Sequence, residues 1–568
     1  GMAGIFSQLL KGTIWEDFYD DCLEPLIDFL KAEFIDDDGT LMPDSMRRRI
    51  TLANLIAHRR NTAPTSRLWL SQTQHDILKD SYEGLLKFVG NNKTFCGIDD
   101  NFPAFPDYPF ADRNLRVAFS KASLSGVRLA PSGSIAYAWS DKELGRIYVF
   151  DTKTDRLVEE IEVESATNLP VRDVAFTRVG NSNRAVVFAG SSSLSVINQY
   201  TLSNHNKTGS TITLTGGSLV TALAHPQTPG VVIAVQPSVG VHFLKLSELN
   251  SGALPNPDWR IPAAGHLAID GSRIAVTGRE QPNLAANQYD SLYIGQLDSD
   301  NGTQLSRKGM SLNRIRDNLS TGSDGIAISG TANKPTIHVV VDPSAEQRHK
   351  SVLVLGADEL NFLNLRALPV ADDGSNQTGP VAIEAIPGSN RVLFGITRRN
   401  QLYWSSGSPS GQSITATVPA QEGPVAISAT GGQFVVAHDR AFTLTLAENQ
   451  FLQAPSIEDK NLDTYRDELL AVFEPLALSL LQTLKDCLCD KLMVRCPECE
   501  EDDYIPLAHI TIQANASYHI CNRARQELVT FPKFFYWLSA LPLLPLVNML
   551  VDKFCCWIIA PAEADEQD

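Results

Sequence analysis

A short phrase recurs along the middle of this chain: an aliphatic residue followed by alanine, where a predicted strand opens. Its seven copies are Leu129-Ala130, Val174-Ala175, Leu223-Ala224, Leu267-Ala268, Ile326-Ala327, Val381-Ala382 and Val425-Ala426. Successive copies begin 44 to 59 residues apart, and most are followed, after a turn, by a second β-branched run. A period of this length with several short strands per unit is typical of a β-propeller. Seven copies therefore predict seven blades.

The repeated alanine has a physical interpretation. The innermost strand of each blade lies close to the ring axis, where neighbouring blades crowd together and a methyl group fits better than a larger side chain. The aliphatic residue before it faces the opposite side of the strand, because strand side chains alternate. The residue just before each phrase is then expected near the mouth of the central channel.

The segment Leu115 to Phe119 precedes the first phrase and is predicted to supply the outermost strand of the last blade. Such a splice closes the ring and brings the entry and exit of the chain together. The predicted fold class is mainly β, a seven-bladed propeller inserted into or flanked by an α-rich domain. Long steps after Leu267 and Ile326 predict loop insertions around Gln281 to Tyr289 and Asp342 to Lys350.

Three regions follow from these patterns. Residues 1–110 form a helical region, 111–455 form the propeller, and 456–568 form a helical and hairpin region that contains cysteines and packs with 1–110. Pro25 is expected to kink or begin a helix, Pro43 to open a basic amphipathic helix, and Pro475 to interrupt a long apolar stripe. Thr94 to Phe110, rich in proline and aromatic residues, is expected to be an ordered connecting arm.

Charge and hydropathy limit the partners. The net charge of −17 argues against nucleic acid as the main partner. Residues 534–551 form an uncharged run of 18 residues, but Pro542 and Pro545 lie inside it, which favours a buried terminal helix pair over a membrane span. The start of the chain lacks the pattern of a secretory signal, so a cytoplasmic protein is expected.

The nine cysteines avoid the repeat, and seven of them follow it. Five of these seven are candidate metal ligands: Cys487, Cys489, Cys496, Cys499 and Cys521. The two-residue gap between Cys496 and Cys499 lets both thiolates reach one zinc ion. One such pair is half of a tetrahedral site, and the other ligands would come from the remaining cysteines or His519. The alternatives are a structural zinc ion, the one cofactor this sequence suggests, and reduced, unligated cysteines.

The residues just before the phrases include Arg128, Asp173 and His266. If these three side chains cluster at the channel, they can bind an anionic or polar ligand, or act as acid and base. The alternative is that they pair with one another and with channel water. No nucleophile elbow, phosphate-binding loop or zinc-protease motif is present, so catalytic residues are not assigned.

The first repeat carries a resemblance. It reads Gly126-Val127-Arg128-Leu129-Ala130-Pro131-Ser132-Gly133, and its third strand is Ile147-Tyr148-Val149-Phe150-Asp151-Thr152. This unit resembles the YVTN-type repeat of lactonase-like seven-bladed propellers, with its proline-x-glycine turn and its "V-x-D-T" turn. Later repeats keep only the inner-strand phrase, and the Trp-Asp and Gly-His pairs of WD40 repeats are not repeated.

The flanks carry a second resemblance. The segments TFCGIDDNFPAFPDYPF, CPECEEDDYIPLAHITI and YHICNRARQELV are similar to parts of uncharacterised bacterial proteins associated with phage-tail-like contractile injection structures. This resemblance implies a bacterial protein and transfers no chemistry to particular residues.

Two functions are compatible with these patterns. The first is a non-catalytic interaction or structural scaffold that uses propeller loops as a protein-binding surface, since loops on a rigid ring make a broad surface. The alternative is a lactonase-like hydrolase or small-ligand binder that acts in the channel. A protein partner is expected in the first case, and an enzyme is the less favoured interpretation.

Overall fold

The computed structural model describes residues 19–34, 41–60, 70–91, 102–108, 115–237, 239–281, 288–297, 306–314, 325–329, 335–342, 350–369, 378–397, 401–406, 415–419, 423–440, 442–449, 459–492, 509–512 and 518–521. A π-helical turn, Tyr19–Leu23, precedes the first α-helix of these ranges. The α-helices are α1 (Glu24–Phe34), α2 (Asp44–Arg60), α3 (Gln72–Asn91) and α4 (Asp459–Leu492). A 3-10 turn spans Leu312–Arg314.

The middle of the chain forms seven sheets, each a propeller blade, which confirms the predicted architecture. The strands pair antiparallel except for β13, which pairs in parallel with β9 at the edge of blade 2. Blade 1 contains β2 (Gly126–Leu129), β3 (Ile135–Trp139), β4 (Arg146–Asp151) and β5 (Arg156–Glu162); blade 2 contains β6 (Val171–Val179), β7 (Ser182–Ser191), β8 (Leu194–Thr201), β9 (Ile212–Thr215) and the later β13 (Gly252–Ala253); blade 3 contains β10 (Thr221–Ala224), β11 (Val231–Gln236), β12 (Gly240–Lys245) and β14 (Trp259–Arg260).

Blade 4 contains β15 (Leu267–Asp270), β16 (Arg273–Gly278), β17 (Ser291–Gln296) and β18 (Ser306–Ser311); blade 5 contains β19 (Ile326–Ser329), β20 (Thr336–Val341), β21 (Ser351–Gly356) and β22 (Phe362–Ala367). Blade 6 contains β23 (Val381–Ala385), β24 (Arg391–Ile396), β25 (Gln401–Ser406) and β26 (Thr415–Pro419); blade 7 contains β27 (Pro424–Ala429), β28 (Gln433–His438), β29 (Thr443–Glu448) and β1 (Leu115–Phe119). The lowest-numbered strand of blades 1 to 6, and β27 of blade 7, is the innermost.

Blade 7 is built from both ends of the propeller sequence, as predicted. β1 pairs with β29 in antiparallel register from Leu115 opposite Ala447 to Phe119 opposite Thr443. At the same seam the Gln433 amide donates to the backbone carbonyl of Gly133, and Leu129 N–H donates to Ser428 Oγ over 3.0 Å. The ring is therefore closed by strand pairing and by bonds between blades 7 and 1.

The hydrophobic core lies between adjacent blades. On β6, Val174 contributes to the core between blades 1 and 2, and Ala175 to the core between blades 2 and 3. The same alternation holds for Leu267-Ala268 and for Ile326-Ala327. These alanines therefore occupy contacts between blades, where small side chains allow close approach.

The seven phrases lie at the innermost strands but not at equivalent positions along them. Leu129 is the last residue of β2 and Ala130 follows the strand, whereas Val381 and Ala382 open β23. On β10 the faces are exchanged, since Leu223 packs towards blade 4. The expectation of one alanine position common to all blades is wrong, because each blade takes its register from its own turn and its own contacts.

The described helices of the two flanks contact each other. The ring of His75 on α3 is hydrogen-bonded to the Tyr465 hydroxyl on α4, over 2.8 Å. Tyr82 and Phe473 meet edge to face at 5.6 Å, and Phe105 of the arm lies against both rings. Over residues 102–108 the arm is ordered and non-helical, as predicted. Described helices from both sides of the propeller sequence thus contribute to one helical layer beside the closing blade.

Pro25 and Pro43 mark helix starts as expected, because α1 begins at Glu24 and α2 at Asp44. The predicted interruption at Pro475 is wrong, since α4 continues through it. Ala471 and Pro475 are both exposed, so the Ala471 carbonyl that proline leaves without a helical partner can bond water. The predicted hairpin is present as β30 (His509–Ile512) paired with β31 (Tyr518–Cys521).

Candidate functional site

Arg128 and Asp173 form a two-pronged ion pair between the innermost strands of blades 1 and 2. Arg128 Nε donates to Asp173 Oδ1 over 2.9 Å, and Nη2 donates to Oδ2 over 3.0 Å. The side chains are 20% and 5% exposed, respectively. Paired hydrogen bonds of this kind are the strongest arrangement of a guanidinium with a carboxylate. The structure therefore brings two of the predicted channel residues together.

The Asp173 carboxylate also accepts hydrogen bonds from two backbone N–H groups. Oδ1 also accepts from Val174 N–H over 2.8 Å, and Oδ2 accepts from Ala222 N–H on β10 over 3.0 Å. A carboxylate has about four acceptor positions. With four donors bound, this side chain joins blades 1, 2 and 3 and is not left available for a substrate.

Glu384, on the innermost strand of blade 6, is a third charged member of this cluster that sequence reasoning missed. It is half-buried, accepts a backbone hydrogen bond from Ala429, and interacts electrostatically with Arg128 and Asp173. Burial raises the pKa of Glu384 to about 7; Arg128 opposes this shift and Asp173 adds to it. Burial opposes the charged form of Arg128, but Asp173 and Glu384 together raise its pKa.

A signal for Glu384 exists in the sequence. The turn after β2 is closed by Ala130 N–H and the Ile135 carbonyl, and the turn after β23 by Ile386 N–H and the Arg391 carbonyl. Aligning these turns, each with a proline as its next residue, places Glu384 level with Arg128. Alignment on the aliphatic-alanine phrase instead pointed to Pro380.

His266 makes a different set of contacts. It lies just before β15, and its ring meets Tyr289 edge to face at 5.5 Å. Its backbone N–H donates to Thr277 Oγ1 over 2.8 Å. These contacts attach His266 to the second strand of its own blade, through Thr277, and to the connection that follows it, through Tyr289, whereas Arg128 and Asp173 bond to each other.

The members of this cluster have two different roles. The Arg128–Asp173 pair is a fixed bond between blades, because both members are satisfied within the protein. Glu384 is the member of the cluster that can exchange a proton near neutral pH, since its pKa is raised to about 7. The cluster is therefore a structural pair with one titrating carboxyl beside it.

The predicted zinc ligands fall largely outside the described residues. Cys487, on α4, is disulfide-bonded, and a sulfur in a disulfide is not a thiolate ligand. The side chains of Cys489, Cys496, Cys499 and Cys521 lie outside the description. Among the side chains that are described, no group of three or more His, Cys, Asp or Glu is arranged to hold a metal ion. Zinc binding stays a prediction.

The sequence analysis favours a buried helix pair over a membrane span for residues 534–551. No helix in the described ranges is both long and apolar enough to cross a bilayer. The apolar run 534–551 lies outside those ranges.

Comparisons with known proteins give fold-level likenesses. U3-55K is 12% identical over 60% of this chain and 100% of its own, with a TM-score of 0.42. The WD40 repeats of RRP9 are 13% identical over 60% and 99%, with a TM-score of 0.43. Hydrazine synthase of Kuenenia stuttgartiensis is 10% identical over 60% and 98%, with a TM-score of 0.43. Likenesses of this strength say nothing about function, and the ring itself follows from the strand pairing.

No family model matches the sequence, and no curated protein matches it.

Proposed function

We propose that this protein is a non-catalytic interaction scaffold of bacterial type, which binds a protein partner through one face of its propeller. This loop face is defined by the connections between the second and third strands of the blades. Because the second strands of all blades run in the same direction, these connections emerge on the same side of the ring.

The observation that carries the proposal is the exposure of large apolar side chains on this face. Leu144, Val239 and Phe442 lie in the second-to-third connections of blades 1, 3 and 7, and are 39%, 37% and 39% exposed. The predicted insertions in blades 4 and 5 belong to the same set of connections, between Gly278 and Ser291 and between Val341 and Ser351. Apolar side chains presented together on one surface are typical of a protein-binding site.

Phe442 adds a conformational argument. Its φ of 51° lies in the left-handed region, which is costly for an aromatic residue. Its carbonyl nevertheless accepts a hydrogen bond from Ser120 N–H over 2.7 Å, which holds the loop in place. Backbone strain that is kept in place by neighbouring bonds is common at binding surfaces. Phe442 is therefore the anchor we assign to the partner.

A capture experiment tests the scaffold. The full chain is immobilised and exposed to a bacterial extract, and the retained proteins are quantified by mass spectrometry. A double variant, Leu144→Ser with Phe442→Gly, removes two apolar tips, and glycine tolerates the positive φ. Phe362→Ser is the matched control, because Phe362 is 53% exposed on the outermost strand β22, away from the loop face.

The proposal expects one set of proteins to be retained by the wild type and by Phe362→Ser and lost from the double variant. Equal retention by all three proteins, or no retained protein that depends on the loop face, would overturn it.

Glu384 supports the alternative, a lactonase-like hydrolase or small-ligand binder working in the channel. A carboxyl group with a pKa of about 7 suits general acid–base chemistry at neutral pH. Hydrolysis of simple lactones by the purified wild type, lost in Glu384→Gln and kept in Asp270→Asn, would establish this alternative. Asp270 is the matched control because it is also a half-buried carboxyl on an innermost strand whose pKa burial raises. The scaffold proposal expects no hydrolysis that depends on Glu384.

A further inference from the structure

Cys487 on α4 has a covalent partner that the proposed function does not involve. Its sulfur is disulfide-bonded, and the residue lies in the last two turns of the helix. The chain has nine cysteines, and the side chains of the other eight lie outside the description. The position of the partner along the chain decides which parts of the protein this bond joins.

Cys489 is the cysteine nearest to Cys487 in sequence, and helix geometry excludes it as the partner. Both residues belong to α4. Successive residues of an α-helix are rotated by about 100°, so two positions that differ by two residues lie on nearly opposite sides of the helix. A disulfide requires sulfur atoms about 2 Å apart. The bond of Cys487 therefore leaves α4 and reaches another part of the chain.

The π-helical turn Tyr19–Leu23 contains Cys22 and lies against α4. Cα atoms of the turn lie within 8 Å of Cα atoms of the helix. Disulfides in proteins join residues whose Cα atoms are about 4–7 Å apart. Tyr19 of the same turn is buried. The backbones of the two elements thus approach each other closely enough for a disulfide to join them.

Apolar packing brings the two cysteine positions to the same interface. Leu26 of α1 and Leu484 of α4 pack on one apolar cluster, whose buried members are Tyr82, Val89, Val472 and Leu476. Leu26 follows Cys22 by four residues, and Leu484 precedes Cys487 by three. Residues three or four apart are neighbours on one face of a helix. Each cysteine position therefore lies one turn from a leucine that packs at this interface.

We propose that Cys22 and Cys487 form a disulfide that joins the two flanks of the propeller. The bond forms by exchange with a small-molecule disulfide such as oxidised glutathione. One cysteine thiolate attacks this oxidant and releases a glutathione thiol, and the second thiolate attacks the mixed disulfide and releases the other. The two cysteines lose two electrons and two protons in total, and the oxidant is reduced to two thiols.

The disulfide closes residues 22–487 into one covalent ring, which contains all seven blades. Cross-linking two distant positions restricts the unfolded chain, and this effect grows with the length of the ring. The bond also keeps β1 and β29, the two strands that close blade 7, from separating fully when their pairing is lost. We therefore expect reduction of the disulfide to lower the melting temperature of the protein.

Disulfide mapping of the full chain tests the pairing. The purified protein is equilibrated with oxidised glutathione, its remaining thiols are alkylated without reduction, and the digest is analysed by mass spectrometry. Thermal unfolding is then measured with and without a dithiol reductant in the wild type, in Cys22→Ser and in Cys96→Ser. Cys96→Ser is the matched control, because Cys96 is the other cysteine that precedes the propeller.

The proposal expects a linked pair of peptides that contain Cys22 and Cys487 in the wild type and in Cys96→Ser. The reductant should lower the melting temperature of these two proteins by several degrees and leave that of Cys22→Ser nearly unchanged. A Cys487 that is alkylated or linked to a different cysteine in the wild type would refute the pairing. An equal response of Cys22→Ser and the wild type to the reductant would also refute it.

Discussion

At Asp173, side-chain and backbone donors from three blades converge on one carboxylate. Arg128 supplies two of its four hydrogen bonds, and the backbones of Val174 and Ala222 supply the others. The same residue types in the same strands would suit a ligand site or a structural bond. Because four donors already occupy the acceptor positions of the Asp173 carboxylate, we interpret the pair as a structural bond and not as a ligand site.

Removing this charge is expected to destabilise the fold strongly. Asp173→Asn leaves the Arg128 guanidinium without its charged partner, and breaking a partly buried pair costs about 3 kcal/mol or more of unfolding free energy. Urea unfolding of the purified protein at neutral pH measures the change. Asp270→Asn serves as the comparison and is expected to lose much less, since burial disfavours the charge of Asp270. Equal stability of Asp173→Asn and the wild type would contradict the structural role.

Sequence reasoning reached Arg128 and Asp173 but not Glu384, for a geometric reason. The sequence analysis places the channel residue one position before each aliphatic-alanine phrase. This rule finds equivalent residues in two blades only if the phrase occupies the same position in both innermost strands. The phrase ends β2 but opens β23, so the offset that finds Arg128 finds Pro380 in blade 6. The proline turns after these strands are the better alignment marks.

Helix α4 shows how packing overrides a local signal at the level of one element. Its 34 residues run through Pro475, although proline removes a backbone donor and crowds the preceding turn. Tyr465, Leu469, Val472 and Leu476 on the other face are buried against the N-terminal helices and the arm. This apolar contact stabilises the helix on both sides of Pro475.

Replacing this proline should stabilise the element. Pro475→Ala restores the backbone N–H donor and places alanine, the residue with the highest helix propensity, at this exposed position. The free energy of unfolding is expected to rise by about 1–3 kcal/mol. Thermal unfolding followed by far-ultraviolet circular dichroism measures the gain. Pro131→Ala is the contrasting variant, because Pro131 opens an exposed turn, and no gain is expected there. A lower melting temperature for Pro475→Ala would show that the proline stabilises α4.

In the whole molecule, the closing blade and the helical layer form one assembly. β1 completes blade 7, α2 lies against the seam between blades 7 and 1, and α3 contacts α4 through His75 and Tyr465. The described helices of the two flanks contact each other through the bond between His75 and Tyr465. Any change at this junction therefore acts on ring closure and on the flanks at once.

The sequence by itself determined the ring: seven innermost strands, their second strands and the splice at blade 7. These features depend on strand alternation, turn residues and repeat length, all of which are local along the chain. The helix starts at Pro25 and Pro43 were predictable for the same reason.

Tertiary structure alone decided which polar groups meet. Whether Arg128 bonds to Asp173 and whether Glu384 lies level with them depend on the relative heights of strands in different blades and on contacts across 45 residues or more. The register of each strand is set by the turn beside it and by the volumes of the side chains that it packs against. The length of the repeat specifies neither of these. The same reason applies to the continuous α4, because the contacts that stabilise it around Pro475 come from elements distant in sequence.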